Sequence, residues 1–203
     1  MVSSVLTPVQ KRGRAALERQ GLPTRRQEAW RLTNLKRLAA VAELPPSSTS
    51  VGRDLPSPSE GVLRLVVDGT QPSLEGQVWP DGITPLNSAE LEEFLGQPLS
   101  RCDCAEAWPV QFNHASGHQL LALRVSGKVP PLELVLAGGE GLIATRVILL
   151  LEDKADLDLL EVVLAEGVSA HSHVIEIHLG LEAELRHGFL ATADGQASLL
   201  AHL

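Results

Sequence analysis

Ile143-Ala144-Thr145-Arg146-Val147-Ile148-Leu149-Leu150-Leu151-Glu152-Asp153-Lys154-Ala155-Asp156-Leu157 is the stretch whose reading decides the fold. It reads as an apolar strand, a tight polar turn, a small residue and a second strand that alternates as Leu157-Asp158-Leu159. The arrangement returns 28 residues later, with Leu149, Leu151, Ala155 and Leu157 matched by Ile177, Leu179, Ala183 and Leu185. The turn Glu152-Asp153-Lys154 is matched by Gly180-Leu181-Glu182. Repetition of strand, turn and strand with aliphatic inward positions suits a β-solenoid, in which stacked coils bury like against like. An antiparallel sandwich also tolerates short strands and tight turns, so periodicity alone leaves both open.

On either side of this stretch, strands are expected at Leu120–Val125, Leu132–Leu136, Ile143–Leu151, Leu157–Leu164, His173–Leu179, Ala183–Leu190 and near Ala197–Leu203. Their connections are too short for the helix of a βαβ unit. Upstream, Leu63-Arg64-Leu65-Val66-Val67 runs as a strand into a turn at Asp68-Gly69. Asn87 caps a short helix through Leu95 closed by Gly96, and another begins near Pro109. The first forty residues read as two helices. Leu6, Val9, Ala16 and Leu17 keep helical spacing until Gly21-Leu22-Pro23 stops the first. Thr24 with Gln27 forms a capping-box pattern for the second, which carries Trp30, Leu32, Leu35, Leu38, Ala39 and Ala42. Pro45 to Gly61 reads as an exposed linker. The divisions are therefore 1–44, an N-terminal helical region; 45–61, a linker; 62–118, a mixed α/β transition; and 119–203, the β coils.

At 203 residues the chain is long enough to bury a sizeable core unaided. Its 44% hydrophobic and 21% charged content excludes wholesale disorder. No apolar run approaches the roughly 18 residues of a membrane helix, and Met1 to Pro8 shows no secretory pattern. Two cysteines cannot staple a fold of this size, so a reducing, cytoplasmic setting is expected. Three Trp, three Phe and no Tyr argue against sugar clefts and single-stranded nucleic-acid tracks, which need stacking platforms. Charge is uneven: residues 1–40 hold nine Lys or Arg against Glu18 and Glu28, while the remainder carries net −15. Such a basic head is compatible with a nucleic-acid arm, a solvated helical face or docking on an acidic partner.

Gly21-Leu22-Pro23-Thr24-Arg25-Arg26-Gln27-Glu28-Ala29-Trp30-Arg31-Leu32-Thr33-Asn34-Leu35 resembles the N-terminal signature of the SufD family, a component of the Suf iron–sulfur cluster assembly machinery. Leu32 stands where that family usually has Tyr. Val66-Val67-Asp68-Gly69 resembles the strand and turn after its linker, and Phe112-Asn113-His114-Ala115 a shortened form of its Phe-x-x-Leu-Asn-x-Ala segment. The strands from residue 143 look like its coils. The resemblance favours SufD over its paralogue SufB. It implies a mainly β fold, a right-handed parallel β-helix behind a small helical region, in a scaffold with SufB and the ATPase SufC. Family members are about twice as long, and the parts implied to dock SufC and pair with SufB lie beyond Leu203. The chain is thus expected to be a piece of a longer protein, and no functional residue transfers to it. No cofactor is expected on this segment; self-association through an uncapped last coil is.

Cys102-Asp103-Cys104, with His114 and His118 downstream, holds metal-competent side chains, but the spacing is not that of common zinc knuckles. Two reduced cysteines are expected. His171 and His173 share one strand face and His178 takes the other; a solvent-facing polar ladder accounts for the pair. There is no Gly-x-Ser-x-Gly elbow, phosphate loop or His-Glu-x-x-His. Gly138-Gly139-Glu140-Gly141 reads as a turn, and Glu92-Glu93 as solvated surface. Catalytic, cofactor and metal residues are therefore none, and the chain reads as a non-enzymatic scaffold. The alternatives are a β-helix enzyme acting on acidic polysaccharide, disfavoured by the acidic body and scarce aromatics, and a nucleic-acid binder using residues 1–40.

Overall fold

The computed structural model describes residues 2–47, 55–68, 78–96 and 101–202. The Gly69 half of the expected turn, part of the linker and Leu203 lie outside them. Helix α1 (Val2–Gln20) ends where expected: Gly21, at φ +65°, donates its N–H to the Leu17 carbonyl at 2.8 Å. The second helix differs from expectation. Thr24 N–H does bond Gln27 Oε1 at 2.8 Å, but only a 3₁₀ turn, Glu28–Trp30, follows. Helix α2 (Leu35–Ala42) starts later, at an Asn34 side chain that accepts from Arg37 N–H at 3.1 Å. Arg25 and Arg26 in a first turn would oppose the helix dipole, whereas Asn34 satisfies an orphan donor. Helix α3 (Ser88–Phe94) has the Asn87 cap, completed as a capping box by Glu90. Helix α4 (Trp108–Ser116) carries Pro109 in its first turn.

Among the described residues there are nine strands, in chain order β1 (Leu63–Val67), β2 (Ile83–Pro85), β3 (Gln119–Val125), β4 (Leu132–Gly138), β5 (Gly141–Leu151), β6 (Asp156–Ala165), β7 (Ser169–Leu179), β8 (Glu184–Ala193) and β9 (Ser198–His202). From β3 onward successive strands fall alternately in two sheets, ordered β1-β4-β6-β8 and β2-β3-β5-β7-β9. Every described strand pairing is parallel except β2 with β3. This excludes the antiparallel sandwich. The molecule is mixed α/β, with the helices on one side of the sheets.

The 28-residue repeat is the strand register itself: Leu149 lies beside Ile177, Leu151 beside Leu179 and Leu157 beside Leu185. The connecting turns stack too. Lys154 and Glu182 take left-handed φ of 61° and 58° at equivalent positions. Their rungs are laced by Asp156 N–H to the Gly127 carbonyl at 2.9 Å and Glu184 N–H to the Ala155 carbonyl at 2.8 Å. The repeat was legible because turns that stack must repeat their backbone conformation.

The largest core cluster lies between the sheets and includes Leu121, Leu123, Val147, Leu149 and Leu151 from one and Leu134, Leu136, Leu157 and Leu159 from the other. The other face of the five-stranded sheet is covered by helices: Val5, Leu6 and Val9 pack near Leu120 and Ile148, while Leu38, Val41 and Phe112 pack near Leu142 and Ala144. Gly13 sits where α1 crosses α4; a Cβ there would run into the Ala115 backbone. In the stretch read as exposed linker, Pro46 bridges to Leu142, Ser47 is buried and Leu55 packs beside Val135 and Val162. The expected turn at Gly138–Gly141 joins β4 to β5, and Gly141 takes φ +104° against the Pro45 carbonyl, leaving no room for a Cβ.

Candidate functional site

The family-like segment folds back onto α4. Trp30 meets Trp108 edge-on with centroids 6.0 Å apart, and Trp108 stacks on Phe112 at 5.0 Å with the rings 7° from parallel. Three of the six aromatic residues are therefore spent on holding residues 21–34 to the helix layer. Beside them lies a pocket of about 510 Å³, bordered by Pro23, Glu28, Trp30, Glu106 and Trp108. Leu22, Arg25, Arg26 and Leu32 project outward, Leu32 at 92% exposure. Arg37 instead contacts the β body, donating to Ser198 Oγ at 2.8 Å and to the Ala197 carbonyl.

His171 and His173 are corrected from the solvent-facing ladder expected: they are 0% and 3% exposed. They share the inward face of β7 with Ile175, so alternation turns both toward the opposite sheet. His171 Nδ1 and His173 Nε2 are 3.2 Å apart. Next to them on β5, Thr145 Oγ1 donates to Gln119 Oε1 at 2.7 Å. Burial lowers the His171 pKa to about 4, and burial with the neighbouring His171 holds that of His173 well below the ordinary imidazole value, so both rings are neutral at pH 7. His178 takes the opposite face as expected, its ring 5.1 Å from that of Phe94.

Glu161 is a residue that sequence reasoning missed. It lies on β6 in phase with the inward Leu157 and Leu159, is 1% exposed, and burial raises its pKa to about 7. His187 Nε2 lies 3.3 Å from Glu161 Oε2 without the alignment of a hydrogen bond. The signal was that phase, since an acid at an inward position of an alternating strand must be buried.

On the helix-covered face, Arg146 and Glu176 form an ion pair with both side chains fully buried. Glu176 Oε2 also accepts the Gly96 N–H at 2.8 Å, which pins the end of α3 to the sheet. Burial pulls the Arg146 pKa down, and the Glu176 carboxylate opposes that pull. Asn113 of α4 donates to the Thr145 carbonyl at 3.2 Å and the Ser172 carbonyl at 2.8 Å, bridging β5 and β7. His114 is kept neutral, its pKa lowered to about 3 chiefly by burial, with the Arg146 and Arg12 charges adding to it; burial also lowers that of His118.

Cys102 and Cys104 are joined in a disulfide, not reduced as expected. The turn brings their Cα atoms to 5.1 Å, within bridging range. His114 and His118 are not gathered with them into a ligand set: among the described residues no group of three His, Cys, Asp or Glu is placed to hold a metal. Glu92 and Glu93 are exposed, as read. Glu161, His171 and His173 are almost wholly buried. Among the described residues no helix is long and apolar enough to cross a membrane. Compared with known proteins, the chain matches no family model, no curated protein and no solved structure.

Proposed function

We propose that the chain is a SufD-like scaffold of iron–sulfur cluster assembly, cytoplasmic and built on a right-handed parallel β-helix, which acts by binding SufB and SufC and not by its own catalysis. The observation that carries this reading is the combination of parallel rungs in 28-residue register with the Gly21–Leu35 motif anchored on α4 through Trp30. Stacked rungs make a rigid platform, because each is hydrogen-bonded to its neighbours along the whole strand. On this reading ATP chemistry belongs to SufC, the cluster is cargo of the complex, and no residue of this segment holds it. The basic residues 1–40 are suited to an acidic partner surface, with Arg25 and Arg26 free of the body's packing.

The test is co-purification of tagged SufB and SufC with this chain and with a longer SufD-type parent. The expected result is a complex with the parent that is weakened or lost with the shorter chain. Failure of both to bind would remove the SufD reading.

A further inference from the structure

The loop before α4 carries the chain's two cysteines, one residue apart and disulfide-bonded. A bond that closes so small a loop removes little freedom from the unfolded chain, so it adds little to fold stability. Its two sulfurs stand in different surroundings. Cys102 is exposed, whereas Cys104 is half-buried and packs with Ala107 beside Val110 and Val174. The Cys104 N–H points at Cys102 Sγ, 3.3 Å away. The loop is held in place by Ala105 N–H to the Cys102 carbonyl at 3.1 Å and Ala107 N–H to the Cys104 carbonyl at 2.8 Å. In sequence Arg101 precedes the pair, Asp103 lies between the two cysteines and Glu106 follows, so the site rests on the difference in exposure of the two sulfurs and on the Cys104 N–H at Cys102 Sγ.

We propose that Cys102 and Cys104 form a dithiol–disulfide exchange site for dithiol substrates, with Cys102 as the interchange sulfur and Cys104 as the resolving one. A thiolate of the dithiol attacks the exposed Cys102 Sγ, the Cys102–Cys104 bond breaks, and Cys104 leaves with the electron pair. The dithiol's second thiolate then attacks its own sulfur bonded to Cys102. The dithiol closes into a disulfide and Cys102 leaves as a thiolate that the Cys104 N–H stabilises. Two electrons pass to the cysteine pair, and the two protons given up by the dithiol end on its two thiols. The reverse direction oxidises the cysteine pair and reduces a substrate disulfide to its dithiol. This inference is independent of SufB and SufC binding.

The experiment equilibrates the oxidised full chain with graded mixtures of reduced and oxidised dithiothreitol, and in a parallel arm with glutathione. Reaction is quenched by alkylation and read by intact mass and peptide mapping. The expected result is reversible two-electron conversion with an unchanged unfolding midpoint. Cys104→Ser holds a stoichiometric glutathione adduct at Cys102, and reduced Cys102→Ser reacts at least about tenfold more slowly than Cys104→Ser with a disulfide probe. Reduction only in denaturant, or equal rates for the two variants, overturns the proposal. If the variants do not fold, the wild type decides it: substoichiometric alkylation of the reduced protein must label Cys102 first, and labelling of Cys104 first overturns it.

Discussion

Between the two sheets lie two unlike halves. Near the Glu152–Ala155 turn the interior is aliphatic: Leu149, Leu151, Leu157 and Leu159 are almost wholly buried, with Leu185 packed against them. Toward the other ends of the same strands, inward positions carry Thr145, Ser169, His171, His173 and Glu161, all nearly inaccessible. The difference separates what fixes the register from what it tolerates. Aliphatic rows stabilise by burial alone, whereas each polar side chain must find a partner or give up its charge. His171 and His173 are neutral at pH 7, and burial raises the Glu161 pKa to about 7. Backbone pairing is continuous through both halves, so the rungs do not depend on the identity of the inward side chain.

Substitutions can break or sharpen this contrast. The largest loss is expected on the helix-covered face, where Glu176→Ala leaves Arg146 charged and unpaired in the interior. About 3–5 kcal/mol should disappear from the unfolding free energy measured in denaturant. Leu149→Ala in the aliphatic half should cost about 2–5 kcal/mol by the same measurement, through lost burial and a cavity. In the polar half, Thr145→Val removes the hydroxyl that serves Gln119, and about 1–3 kcal/mol should be lost. A Thr145→Val cost equal to that of Leu149→Ala would erase the distinction between the halves. The smallest effect is a gain. Lys154→Gly relieves a left-handed residue and should raise the unfolding midpoint by the equivalent of up to about 1 kcal/mol.

Much of the β architecture was legible because a 28-residue repeat of Leu149, Leu151, Ala155 and Leu157 leaves a mark that spacing alone reveals. The interior polar half was not. Alternation assigns His171 and His173 to one face but not to the inside or the outside, and their polarity suggested the outside. Parity with Ile175 and Ile177 on the same strand was the better guide. Helix α2 was misplaced because Thr24 with Gln27 satisfies a local capping pattern that the chain uses only for a single turn. Strand β2, three residues ending in Pro85, is too short to leave a periodic signal. The pairing of Cys102 with Cys104 was missed because the expectation rested on compartment and not on the turn that brings them together.

The divided interior is tested most directly by unfolding free energies of the wild type, Glu161→Gln and a His171→Asn, His173→Asn double variant across pH. Glu161 keeps its proton in the folded state up to about pH 7, whereas its unfolded counterpart releases it near 4.5. Relative to Glu161→Gln, the wild type should therefore lose stability as pH rises from 4.5 to 7, then hold level. The histidines run the other way. Unfolded imidazoles take up protons below pH 6.5, while folded His171 does not until about 4, so the wild type should lose stability relative to the double variant as pH falls through that window. Differences that stay constant with pH for both variants would contradict the account, because they would place all three groups in water and not between the sheets.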